Sequence, residues 1–188
     1  MPIQIGQKKE SDFSDPLGLL SDCHRRIERF LGVLIKICHK RNGGTIAADE
    51  RSALETALTY FRNAAPKHTA DEEDSLFPRM RASGGAEAAL DCLARLEGDH
   101  QTASQDHRIV DTLGTRWLEQ GTLDADRARE LDQALERLSG LYARHIAIED
   151  TELFPLAGRV LNKGELAAVG EEMAIRRGVT VAGSKTGP

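Results

Sequence analysis

A chain of 188 residues, 40% hydrophobic and 29% charged, is long enough for one buried core and short for two ordinary domains. Its 25 basic and 30 acidic residues are interspersed, for a net charge of -5, and no basic block or face argues for nucleic acid or anionic membrane as a partner. No apolar run approaches the roughly 20 residues of a membrane span, the N-terminus lacks a signal-peptide core, and three cysteines (Cys23, Cys38, Cys92) without metal-binding spacing fit a reducing cytoplasm.

Aromatics are only 4% and Leu, Ala, Glu and Arg dominate, which favours helix over sheet. Residues 1–14 are polar and read as an irregular N-terminal segment. Asp15-Pro16 reads as an N-cap with proline in the first turn. From there Leu17, Leu20, His24, Ile27, Leu31, Leu34 and Cys38 mark one face of a helix, which Asn42-Gly43-Gly44 stops.

The second stripe is Leu54, Leu58, Phe61, Ala65, His68, Glu72 and Leu76, with Pro66 expected to kink or restart the helix. The third is Ala89, Leu93, Leu96, His100, Ala103, His107, Val110 and Trp117, ending at Gly121. The fourth is Leu131, Leu135, Leu138, Tyr142, His145, Glu149, Glu152 and Leu156. Residues 165–177 are expected to form a short capping helix and 178–188 a flexible tail. The fold class is therefore all-α: an antiparallel up-down-up-down four-helix bundle over residues 15–164 with a short extra C-terminal helix.

An internal repeat is the strongest signal. His68-Thr-Ala-Asp-Glu72-Glu73-Asp-Ser-Leu76-Phe77-Pro78 matches His145-Ile-Ala-Ile-Glu149-Asp150-Thr-Glu-Leu153-Phe154-Pro155. A core-facing histidine precedes each phrase, His24 by 44 residues and His100 by 45. Two helical hairpins of one design follow.

In His-x3-Glu the two side chains lie one turn apart on the same helix face, here the apolar one. Burying two ionised glutamates that face each other is unfavourable unless cations lie between them. Counted from the connecting turns, His24 lies 18 residues in, His68 about 22, and His100 and His145 21 each, so all four reach one layer. His107 falls seven residues away from it. Nitrogen and oxygen donors without thiolate suit iron, manganese or zinc. The candidate metal ligands are His24, His68, Glu72, His100, His145 and Glu149, two imidazoles and a share of both carboxylates for each of two ions. An oxide or hydroxide bridge would complete five ligands and leave one position open.

These residues and the two Leu-Phe-Pro endings resemble the hemerythrin-like, or HHE cation-binding, family over roughly residues 14–160. The resemblance implies a four-helix bundle with two non-haem iron ions, carboxylate- and oxo-bridged, and a small ligand such as oxygen or nitric oxide. In the oxygen carriers the third helix gives two histidines four residues apart. Ser104 stands at that spacing from His100, so the set of four histidines and two glutamates is closer to sensor-type or nitric-oxide-related members.

Other candidates have plainer readings. Glu73, Asp150 and Glu152 are placed to hydrogen-bond ligand histidines or to sit as solvated charges. Tyr142 is placed to reach a metal-bound oxygen or to pack, Glu97 reads as an outer partner of a ligand or a surface group, His39 as exposed, and Cys23 as a buried inert thiol beside His24 or a redox-sensitive neighbour of it. The function expected is di-iron binding with a gaseous or peroxide ligand, in sensing or stress protection, with an unknown protein partner. A di-iron enzyme consuming peroxide or oxygen and an iron-responsive interaction module are the alternatives.

Overall fold

The computed structural model describes residues 10–85 and 89–180. Residues 1–9 of the expected N-terminal segment and 181–188 of the expected tail lie outside the described residues. Among those described, the regular structure is entirely helical, and no helix is long and apolar enough to cross a membrane.

Helix α1 spans Pro16–Arg41, and the Asp15 carboxylate accepts the Gly18 N–H at its start. Asn42 (φ 43°) and Gly43 (φ 77°) turn the chain out of it in left-handed conformations. At Gly43 a Cβ would lie 2.8 Å from Ala128 Cβ, because this turn rests on the one between Gln120 and Ala125. Leu123 N–H donates to Gly43 O at 2.7 Å, and Trp117 Nε1–H to Gly44 O at 3.0 Å.

Helix α2 (Ala48–Asn63) stops one residue short of α3 (Ala65–Ala70), and Pro66 in the first turn of α3 enforces the restart that the sequence implies. A wide π turn, Asp71–Leu76, follows, and α4 (Phe77–Ala82) continues from it. Helix α5 spans Leu90–Gln120 and α6 spans Ala125–Ile148. A second π turn, Glu149–Leu153, leads into α7 (Phe154–Val160). Asn162 and Glu165 form a reciprocal cap at the start of α8 (Lys163–Arg176).

The two π turns have one cause. Phe77 N–H donates to Glu72 O and Phe154 N–H to Glu149 O, each five residues back. The next residues, Pro78 and Pro155, have no N–H for the carbonyl four residues back and their rings crowd it, which the wider turn relieves. The Leu-Phe-Pro phrases, which look like helix endings, are therefore devices for widening a helix that goes on.

Helix α1 packs against α2 and α6, and α5 packs against the same two. Helix α8 lies against α1 and the first π turn, where Arg176 and Arg177 both reach the fully buried Asp71. The apolar interior is divided into two clusters. One runs through Ile27, Leu58, Val110, Trp117 and Leu138. The other runs through Leu20, Phe77, Leu93, Leu153 and Met173. Along each of the four long segments, a buried polar group sits where one cluster ends and the other begins.

Candidate metal centre

The structure brings all six sequence-selected residues together in that polar layer. His24, His68, Glu72, His145 and Glu149 are at most 5% exposed and His100 is 9% exposed. They form two groups whose ligand atoms lie within 4.8 Å of one another: His24, His68, Glu72 and Glu149, and Glu72, His100, His145 and Glu149. Both carboxylates belong to both groups. Glu72 Oε1 lies 3.3 Å from His68 Nε2, while its Oε2 lies 3.3 Å from His100 Nε2. Glu149 Oε2 lies 3.1 Å from both His24 Nε2 and His145 Nε2.

Outer partners orient three of the rings, and two of them come from across the repeat. His24 Nδ1 meets Asp150 at 3.0 Å, and His100 Nδ1 meets Glu73 at 2.7 Å. So the acidic residue after each glutamate serves the histidine of the opposite hairpin. The phenylalanines follow the same crossing: Phe154 stacks on His24 at 5.4 Å and Phe77 on His100 at 6.4 Å between centroids. His145 Nδ1 meets Asp99 at 3.4 Å, a partner the sequence reading missed although it stands next to His100. Glu152 is exposed, and Glu97 pairs with Arg81 at the surface. A proton on Nδ1 held by a carboxylate leaves the Nε2 lone pair free to face the interior.

A cation fits this donor set. All four carboxylate oxygens of Glu72 and Glu149, and His24 Nε2, are buried without a hydrogen-bond partner. His100 Nε2 and His145 Nε2 face each other at 3.1 Å, where two lone pairs repel unless positive charge lies between them.

The model of the hemerythrin HHE cation binding domain matches residues 15–157. The chain belongs to this family. An uncharacterized protein of Haemophilus influenzae (strain ATCC 51907 / DSM 11121 / KW20 / Rd) is 30% identical to it over 172 residues, which cover 89% of this chain and 92% of that relative. The buried histidines and glutamates of this hemerythrin HHE chain thus form a cluster able to hold metal in a family that binds cations.

The electrostatics favour positive charge at the layer. Burial alone would depress His24, but the carboxylates of Asp150, Glu149 and Glu72 beside its ring outweigh it and push its pKa up to about 12. His100 is pushed up to about 9 against burial by Glu72 and Glu73. Burial would raise Glu72, yet the charges of His68, His100 and His24 hold it well below the usual carboxylate range.

A cavity of about 270 Å³ opens beside His100, lined by Phe61, Pro66, Ser104, His107 and Tyr142 among others. His107, outside the layer as expected, shares a 2.7 Å hydrogen bond with the Tyr142 hydroxyl. Burial pushes its pKa down to about 4, so the ring is neutral near neutral pH. His39 is half-exposed and pairs with Asp132 and Glu136 far along α6 from the layer.

Proposed function

We propose that this hemerythrin HHE chain is a non-haem di-iron protein that engages a small diatomic or peroxide ligand, oxygen or nitric oxide, in sensing or stress protection. The observation that carries this reading is the pair of four-residue groups sharing both glutamates. His24 and His68 would hold one iron and His100 and His145 the other, with Glu72 and Glu149 spanning both. Iron held by these residues would supply reversible electron transfer with a small ligand.

The chain's own residues do the remainder. Asp150, Glu73 and Asp99 fix three imidazoles in the tautomer that presents Nε2 inward. Phe77, Phe154 and the two apolar clusters keep water from the layer on either side. The cavity beside His100 offers a small ligand its approach, and Ser104 on its wall leaves space that a larger side chain would fill. Within it the Tyr142 hydroxyl and His107 ring hold a proton between them. We place the four segments (α1, α2 to α4, α5, α6 to α7) in an up-down-up-down antiparallel bundle capped by α8. Three free cysteines suit a cytoplasmic setting.

The test is the metal content of protein purified without added metal and then challenged with iron. About two irons per chain are expected, as for other bundles with bridging carboxylates, and fewer in Glu72→Ala and Glu149→Ala. Full metal content in both variants, or a folded protein that takes up no iron, would refute the reading. The hydroxyl–imidazole pair in the cavity favours a second reading, a peroxide-consuming enzyme. Steady-state peroxide consumption that His145→Ala abolishes would support it, and a flat time course would exclude it.

A further inference from the structure

Three of the four layer imidazoles have a carboxylate at Nδ1, and the fourth, His68, does not. Its Nδ1 is buried without a hydrogen-bond partner, and the residue is 5% exposed. The repeat indicates which residue should stand there. Asp99, immediately before His100, serves His145. Mapping His100 onto His24 and His145 onto His68, the residue immediately before His24 should serve His68. That residue is Cys23. It is 7% exposed, and its side chain does interact with the His68 imidazole. Its other polar neighbours are donors: Arg26 Nη2 lies 3.3 Å from Sγ, and the Arg177 guanidinium faces it as well. The sulfur thus stands among donor groups, in the place that Asp99 takes beside His145.

We propose that Cys23 is the positioning residue of His68, a sulfur acceptor where the repeat places a carboxylate, and that the His24–His68 metal position is therefore held less tightly than the His100–His145 position. Sulfur accepts an N–H more weakly than a carboxylate oxygen does. The His68 ring is then less firmly oriented and its Nε2 is a poorer donor. Outer partners of ligand histidines change metal affinity by roughly 10- to 100-fold, so the substitution of one acceptor type for another is enough to separate two otherwise repeated positions. This inference rests on the six-residue ligand set proposed above.

The experiment uses the full chain loaded with Zn²⁺, whose diamagnetism permits NMR of the ring nitrogens. It counts zinc per chain, follows release into a chelator and records the histidine ¹⁵N–¹H signals. In the wild-type chain we expect two zinc ions per chain, released in a fast and a slow phase, in line with ligand sets that share carboxylates. Cys23→Asp, which restores the pattern of the repeat, slows the fast phase. Cys23→Ala speeds it about ten-fold and shifts the His68 ring signals, with Cys23→Ser between the two, while Asp99→Ala speeds the slow phase instead. Unchanged release phases and unchanged His68 signals in Cys23→Ala and Cys23→Ser would overturn the role of Cys23. A wild-type chain that binds fewer than two zinc ions would overturn the ligand set itself, so the two failures are distinguishable.

Discussion

Asp71→Ala is expected to loosen α8 and destabilise the whole chain. Asp71 is fully buried in the first π turn, next to Glu72. Its carboxylate accepts from Arg177 Nη2 at 2.6 Å, Arg176 Nη1 at 2.9 Å and Arg177 Nη1 at 3.1 Å. Breaking a buried ion pair from one side costs about 3–5 kcal/mol when the surviving charge stays buried. Here the guanidinium side chains are 22% exposed and can turn towards water, so the lower end, about 3 kcal/mol, applies. Urea denaturation followed by circular dichroism measures the loss, and limited proteolysis after Arg176 and Arg177 reports the loosened helix. An Asp71→Ala, Arg177→Ala double-mutant cycle isolates the coupling between the partners. A loss below about 1 kcal/mol, the range of a surface pair, together with unchanged proteolysis, would refute the view that this contact ties α8 to the layer.

Three further outcomes are expected. Removing metal with a chelator lowers the denaturation midpoint, and free metal at 100 times its dissociation constant restores about 2.7 kcal/mol; an identical midpoint with and without metal argues against a structural contribution of the layer. His107 has a folded-state pKa of about 4 against 6.5 for the free side chain, so the unfolded chain binds the extra proton in between. Its contribution is present above pH 6.5 and is lost as pH falls towards 4, by about 3 kcal/mol at most. Acid titration of wild type against His107→Phe reads this as a shallower acid limb in the variant, and parallel limbs would contradict it. Gly114→Val is destabilising by about 1–3 kcal/mol, because a Cβ there lies 2.9 Å from Leu58 Cδ1 and Cδ2; thermal melts compare it with Gly98→Val, where a Cβ meets nothing within 4 Å.

Much of this architecture was legible because helix periodicity and ligand spacing are local. His68 with Glu72 and His145 with Glu149 declare a shared face at four-residue spacing, and the matched depths of His24 and His100 bring them to the same layer. Pro66 likewise announced a break that needs no tertiary context. What stayed hidden depends on pairing across the chain. Glu73 and Asp150 were visible as carboxylates beside the layer, but serving the opposite hairpin's histidine is a property of how the hairpins face each other. Asp99 carries no pattern of its own, and its role follows only once His145 is opposite. The anchoring of Arg176 and Arg177 on Asp71 joins residues 105 and 106 positions apart, beyond any helical repeat. Pro78 and Pro155 were in plain view, but a missing N–H is compatible with ending a helix as well as with widening it.

The division of the apolar interior by the polar layer bears on how the molecule comes apart. Hydrophobic burial makes each cluster a cooperative unit, and the layer lies between them. Cations held by the two groups, which together draw on all four segments, would then be a clasp between two blocks. With the clasp closed, amide exchange on both sides should follow one opening event. Once it is released, the block that contains α8 should open at lower cost than the block around Trp117. A change in ion occupancy a few ångström across would thereby be transmitted as a change in the independence of two halves of the protein, without any rearrangement of the fold itself.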